Sequence, residues 1–280
     1  MNFSGSIDFS PKIVSALRHY STARFKSDLI AGIVVGIVAL PLAIAFGIAS
    51  GVSPTVGLTT AIIGGFIVSA LGGNSVQIGG PTGAFIIIVY SIIQQYGLEG
   101  LGVATFMAGV MLVAMGLFHL GTVIKFIPYP IVVGFTAGIA LTIFSTQIND
   151  FFGLGLADVP GAFISKWGVY FEHIGDISWT TLAVGAVSLA IIVLTPRISK
   201  RLPGALMAIV VVTAGVALLH SLIPEFAVET IGDRFGDMET DLPAPQTFAW
   251  DMEVINNLMP WAFTIAVLAA IESLLSATVA

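Results

Sequence analysis

The apolar residues of this chain come in runs long enough to cross a lipid bilayer, and that property removes most folds. A helix of about 20 apolar residues spans the hydrocarbon. With no water at that depth, every backbone N–H and C=O must be satisfied within the element, so runs of this length are read as helices. The sequence predicts spans near 29–50, 54–72, 81–96, 101–120, 126–147, 178–195, 203–223 and 258–280. The third is short and follows Gln77-Ile78-Gly79-Gly80, which does not read as helix; the sixth is also short. Only 9% of residues are charged, against about 25% in a soluble domain, too few to cover a water-soluble globule. The predicted fold class is an all-α polytopic membrane protein.

Loop charge sets the orientation. Residues 1–27 form a polar, basic segment with no small-residue cleavage signal after the first apolar run, so that run is expected to stay as a span. With the N-terminus in the cytoplasm, the inner side carries Lys12, Arg18, Arg24, Lys26, Lys125, Arg197, Lys200 and Arg201, and the outer side only Lys166 and Arg234. Most of the acids fall in two outer loops, near 148–177 and 224–257, and read there as a solvated negative face. No basic tract points to nucleic acid. The absence of cysteine excludes disulfides and thiolate metal sites. His19, His119, His173 and His220 are scattered near span ends and read as interfacial, so no metal site is expected. The last run stops at Ala280 without the polar flank that normally closes a span. We therefore expect residues 28–280 to be part of a longer membrane domain, the alternative being a natural eight-span protein.

One ionisable side chain lies well inside an apolar span: Glu272, in Ala269-Ala-Ile-Glu-Ser-Leu-Leu-Ser276. A carboxylate there is costly unless paired, hydrated or protonated, and such groups usually have a task. Ser276 is one helical turn on and shares its face. Together they can ligate a hard cation such as Na⁺, or the carboxyl can take up and give back a proton. A neutral Glu satisfied by a neighbouring helix is the structural alternative.

Gln77-Ile-Gly-Gly-Pro-Thr-Gly-Ala-Phe85 is the second feature. Glycine permits irregular backbone, and Pro81 suits a first helical turn, where its missing N–H costs nothing. The reading is an extended stretch followed by a helix that begins within two residues of Pro81, inside the membrane. Free N–H groups near Thr82, Gly83 and Ala84 would then favour an anion. A glycine-rich cytoplasmic turn before an ordinary span explains the same residues equally well. No Gly-Lys-Ser/Thr follows, so this is not a Walker loop.

Pro41 interrupts the first span, in Ala39-Leu-Pro-Leu-Ala-Ile-Ala-Phe46. A kink there could turn Phe46 toward a cavity, although on the residues alone a packing kink with a lipid-facing Phe is the simpler reading. Gly32 and Gly36 are expected to serve close helix packing.

Taken in order, Asp28-Leu-Ile-Ala-Gly32, Ala39–Gly47, Gln77–Phe85, Ile127-Pro-Tyr-Pro-Ile-Val-Val-Gly-Phe135 and Ala269–Ser276 resemble the SulP anion transporters, along nearly the whole chain. No single motif is decisive, but the ordered set is specific. The resemblance implies fourteen spans in two inverted seven-span repeats, often followed by a cytoplasmic STAS domain, of which this chain would hold the first repeat and one span of the second. It implies a core including spans one to four and eight, and a gate including spans five to seven. The substrate anion would sit between the half-helix of span three and a symmetry mate in span ten, beyond Ala280. The resemblance places Leu42, Phe46, Pro81, Thr82, Gly83 and Ala84 at the substrate and Glu272 with Ser276 at the coupling ion.

Two departures matter. Many relatives have Gln after the first-span proline, where this chain has Leu42, which removes a polar contact. Some Na⁺-coupled bicarbonate carriers have Asp and Thr where Glu272 and Ser276 stand, so the reach of the site differs.

The expected function is secondary active transport of a small inorganic anion, bicarbonate or sulfate, coupled to H⁺ or Na⁺. The alternatives are a dicarboxylate or nucleobase carrier of similar fold, or an anion channel. No enzyme is expected, because no second catalytic group accompanies Glu272. Expected partners are the small anion and the bilayer, with no nucleic acid, no cofactor beyond the coupling ion, and a homodimer in the full-length protein. The expected location is the cell membrane, multi-pass. Without span ten, the 280 residues alone are not expected to transport.

Overall fold

The structure is a computed structural model, and it describes residues 11–18, 20–74, 77–121, 129–157, 159–199, 202–223, 226, 228–236, 248 and 250–279. Its helices are α1 (Lys12–Leu17), α2 (Thr22–Ala49), α3 (Pro54–Leu71), α4 (Ile86–Leu117), α5 (Tyr129–Phe152), α6 (Phe163–Glu172), α7 (Trp179–Ile198), α8 (Gly204–Leu222), α9 (Ile231–Phe235) and α10 (Met252–Val279). No strand occurs among the described residues, in keeping with the all-α class. Lys125, Ile127, Pro128, Lys200, Arg201, His19 and Ala280, all used in reading the sequence, lie outside the described residues, as do Asp158, Glu225, Asp237, Glu239 and Asp241 of the two expected outer loops.

Among the described residues six helical stretches are long and apolar enough to cross a membrane: Thr22–Ala49, Pro54–Leu71, Gly83–Leu117, Trp179–Ile198, Gly204–Leu222 and Met252–Ala277. Gly83–Leu117 contains the expected third and fourth spans. A straight helix of its 35 residues would run to about 50 Å, well beyond the ~30 Å of hydrocarbon. Gly97 breaks it, with φ 70° and ψ −174°, values open to glycine and closed to most other residues. Ile88 and Met111, which one continuous helix would hold about 35 Å apart, pack against the same cluster. Residues 86–96 and 98–117 are therefore two helices, and the first is about 16 Å long, roughly half the hydrocarbon. The expected fifth span corresponds to α5, and the sixth and seventh to α7 and α8.

Side-chain caps explain several helix starts. Ser21, Ser53 and Ser178 accept hydrogen bonds from the N–H groups of Arg24, Val56 and Thr181, and Pro54 opens α3 where no donor is needed. The first span begins at Thr22 instead of 29, because Ser21 caps a helix that runs through Arg24, Lys26 and Asp28. Likewise α10 starts at Met252, six residues ahead of the apolar run. Hydropathy marks where a helix becomes apolar; it does not mark where the helix begins.

The chain divides into two compact units. One comprises residues 1–25, 43–139 and 241–280. Its core is Ile92, Val103, Ala104 and Ala108 of α4 with Leu258, Ile265 and Ala266 of α10, and small residues on both sides let the helices approach closely. At the junction of α2 and α3, a Cβ on Gly57 would lie 2.5 Å from the Ala43 carbonyl oxygen and 3.1 Å from the Gly47 Cα. Close packing is thus at Gly47 and Gly57, whereas a Cβ on Gly32 or Gly36 would meet nothing within 4 Å among the described residues. This unit groups α3 and α4 with α10, as the SulP resemblance implies for spans two to four and eight. The first span, which the resemblance assigns to the core, is divided after residue 42, and the fifth, which it assigns to the gate, is divided after residue 139.

The other unit comprises residues 26–42 and 140–240. Helix α6, inside the expected outer loop, is tied to α5 by Tyr170 Oη donating to the Ser145 carbonyl at 3.0 Å and Trp167 Nε1 donating to Ser145 Oγ at 3.0 Å. Asn149 folds the following loop back, giving and receiving a hydrogen bond with the backbone of Leu156, each at 3.1 Å. Arg234 and Asp150 form an exposed ion pair at 3.2 Å.

Candidate functional site

The site is built from one face of α10 and the segment before α4. Leu258, Ala262 and Ile265 follow the i, i+4, i+7 spacing of a helical face, and all are buried. Glu272 and Ser276 lie seven and eleven residues beyond Ile265, within about 20° of its direction at 3.6 residues per turn. The face that packs on α4 therefore continues as a polar pair. Glu272 is half-buried and Ser276 exposed.

Residues 77–82 are non-helical, as their glycines suggested. Gly79 lets the segment lie against α3, since a Cβ there would sit 2.7 Å from the Val68 Cβ. Thr82 is extended (φ −132°, ψ 142°) and is the N-cap. Helical backbone begins at Gly83 as a 3₁₀ turn and becomes α-helical only at Ile86. The start at Gly83 is two residues past Pro81, but Pro81 lies outside the helix and not in its first turn. Nor is the Ala84 N–H free as expected: it donates to Thr82 Oγ1 at 3.4 Å, because a threonine preceding a helix supplies the acceptor that the first turn lacks.

The same Thr82 hydroxyl donates to Glu272 Oε1 at 2.8 Å. One oxygen atom thus connects the start of the span-three helix with the intramembrane carboxylate. Beside it, Gln77 Nε2 donates to Ser276 Oγ at 2.9 Å and reaches the Ser273 carbonyl at 3.4 Å, and Ser276 Oγ in turn donates to that carbonyl at 3.0 Å. Gln77 had no assigned role from the sequence; nothing local links it to a serine 199 positions away.

Of the remaining candidates, Ala84 reaches this cluster through its N–H bond to Thr82, and no hydrogen bond or ring contact among the described residues joins Leu42, Phe46, Pro81 or Gly83 to it. Leu42 is 45% exposed, Phe46 is half-buried and Pro81 exposed, while Gly83 is buried and Ala84 half-buried.

The comparisons with known proteins agree with one another. The model of the sulfate permease family matches residues 25–280. The chain belongs to that family. As a sulfate permease family member it stands among transporters, not enzymes. It is 44% identical over 261 residues to the "Putative sulfate transporter YvdB" of Bacillus subtilis (strain 168), covering 93% of this chain and 48% of that protein. It is 28% identical over 234 residues to the bicarbonate transporter BicA of a Synechocystis strain, covering 81% of this chain and 40% of BicA. The chain thus spans about half the length of these relatives or less. Among solved structures, the transmembrane domain of a cyanobacterial bicarbonate transporter BicA superposes with a TM-score of 0.77 at 27% identity, covering 93% of this chain and 66% of that one. The family's helical membrane fold is therefore the fold of this chain.

Proposed function

We propose that residues 28–280 form the first part of the transport domain of a secondary carrier for a small inorganic anion of the sulfate or bicarbonate class. Uptake is driven by H⁺ or Na⁺ acting at Glu272. The observation that carries this reading is the hydrogen bond from Thr82, the cap of the half-length helix, to Glu272. The positive end of a helix favours an anion, but a charged Glu272 beside it opposes one. At about 6 Å and an effective dielectric near 20, two unit charges repel by about 3 kcal/mol, roughly a hundredfold in affinity. A proton or cation on Glu272 removes that repulsion, so anion and coupling ion favour each other's binding.

Two kinds of relative support the substrate class, one named for sulfate and the other for bicarbonate. Leu42 supplies no polar group to either anion. The carrier sits in the cell membrane with a cytoplasmic N-terminus, on the loop-charge bias, and acts as a homodimer. The test is accumulation of labelled sulfate and labelled bicarbonate by proteoliposomes holding the complete transporter, under separate pH and Na⁺ gradients. Uphill accumulation of either anion supports a coupled carrier; flux of both that only follows their own gradients would identify a channel.

A further inference from the structure

Gln77 is the polar residue of this cluster that the transport reading does not use. Its orientation follows from chemistry. The Ser273 carbonyl can only accept, so the amide nitrogen of Gln77, and not its oxygen, must face it at 3.4 Å. The Ser276 hydroxyl proton is already directed to that carbonyl at 3.0 Å. Toward Gln77, 2.9 Å away, the serine oxygen can therefore only accept. The amide hydrogens of Gln77 occupy the side of Ser276 Oγ that faces the extended segment, and a cation on that oxygen would meet them with like sign.

We propose that Gln77 is a latch on the coupling-ion site: its amide and a Na⁺ ion compete for Ser276, and arrival of the ion at Glu272 and Ser276 frees the segment 77–82 from α10. This rests on the reading of Glu272 and Ser276 as that ion's site. The latch gives the ion a mechanical consequence. Residues 77–82 lead directly into the helix capped by Thr82, so releasing one end of the segment alters how firmly the anion-facing helix start is held. Gln77 is a positioning residue here and does not ligate the ion.

The sign of the effect distinguishes this role from the alternatives. Removing a competitor strengthens ion binding, so Gln77→Ala should lower the Na⁺ concentration for half-maximal uptake by about 2- to 10-fold, the range of one ordinary hydrogen bond. Gln77→Met, which keeps the length without the amide, should do the same. A raised or unchanged Na⁺ requirement in both variants overturns the latch, the first by making Gln77 a ligand and the second by making it inert.

A second measurement needs no transport. These 280 residues contain no cysteine, and Ile78, 62% exposed beside Gln77, can carry a reporter thiol once any cysteine elsewhere in the complete transporter is replaced by serine. In membranes holding the complete transporter, the Ile78→Cys thiol should react faster with a water-soluble maleimide in Na⁺ than in K⁺ at the same pH. In the Gln77→Ala background it should be fast in both. Na⁺-dependent labelling without coupled uptake would remove the transport reading and leave the latch standing. Coupled uptake with labelling indifferent to Na⁺ would overturn the latch alone.

Discussion

Thr82 and Glu272, 190 positions apart in sequence, share a hydrogen bond of 2.8 Å, while the same Thr82 oxygen accepts the N–H of Ala84. A helix cap and a hydrogen bond to an intramembrane carboxyl thus depend on one hydroxyl. Replacing Thr82 with Val keeps the shape and removes both bonds. A lost cap costs about 1 kcal/mol, and a lost hydrogen bond about 0.5–1.5 kcal/mol more. We expect Thr82→Val to raise the KM for the anion by tenfold or more at normal membrane expression, and Thr82→Ser to restore it. Kinetics of uptake check this; a Thr82→Val KM equal to that of the parent would show that the bond has no part in binding.

The contact between α2 and α3 makes a stability prediction. The neighbour of a Cβ on Gly57 is the Ala43 carbonyl oxygen, main chain that cannot rotate away, whereas a Cβ on Gly64 of the same helix meets nothing within 4 Å. Gly57→Ala should cost roughly 1–3 kcal/mol and lower the melting temperature of the detergent-solubilised protein. Gly64→Ala should leave it unchanged or raise it slightly. Equal behaviour of the two variants would contradict the packing described.

Tyr170, on α6 between the fifth and sixth spans, gives a pH prediction. Burial, and then the negative charge of Asp150, push its phenol up to about 12 from an ordinary value of 10.0. A pKa raised by folding contributes stability that is complete below the unfolded value and is lost as pH rises through the folded one. The contact between α6 and α5 should therefore loosen between pH 10 and about 12. In Tyr170→Phe that alkaline step should vanish, since the hydroxyl that bonds Ser145 is gone. Tyrosinate absorbance followed against pH in both proteins measures it; ionisation of Tyr170 near pH 10 would refute the burial argument.

The ion pair of Arg234 with Asp150 should matter little. Both side chains are partly exposed, 33% and 62%, and pairs of that kind contribute about 0–1 kcal/mol. Asp150→Asn should shift the melting temperature by less than Gly57→Ala does, and added salt should erase the difference.

How much of this was legible in the sequence varies by the range of the signal. The spans were, because a bilayer demands long apolar runs and the chain supplies them. The extended segment before the third span was too, because Gly79 and Gly80 mark backbone that need not be helical. The exact helix starts were not: Ser21 and Thr82 cap through side chains, and a cap leaves no mark on hydropathy. Helix α6 escaped notice because ten residues are too few to span. Glu272 stood out as a charge in an apolar run, but its partners did not. The pairing of Gln77 with Ser276 and of Thr82 with Glu272 depends on where α10 returns to the segment before α4, and no local pattern encodes that return.

The central claim is that Glu272 couples an ion to the anion, and the most direct measurement is anion uptake by the complete transporter carrying Glu272→Gln, under separate pH and Na⁺ gradients. Glutamine keeps the size and can still accept from Thr82, so a purely structural Glu272 would tolerate the change. If the carboxyl carries a proton, Glu272→Gln should abolish pH-driven accumulation while leaving exchange partly intact. If it binds Na⁺, the Na⁺ dependence should weaken instead, and Ser276→Ala should raise the Na⁺ required. Unchanged responses to both gradients would contradict the claim and remove Glu272 from the mechanism.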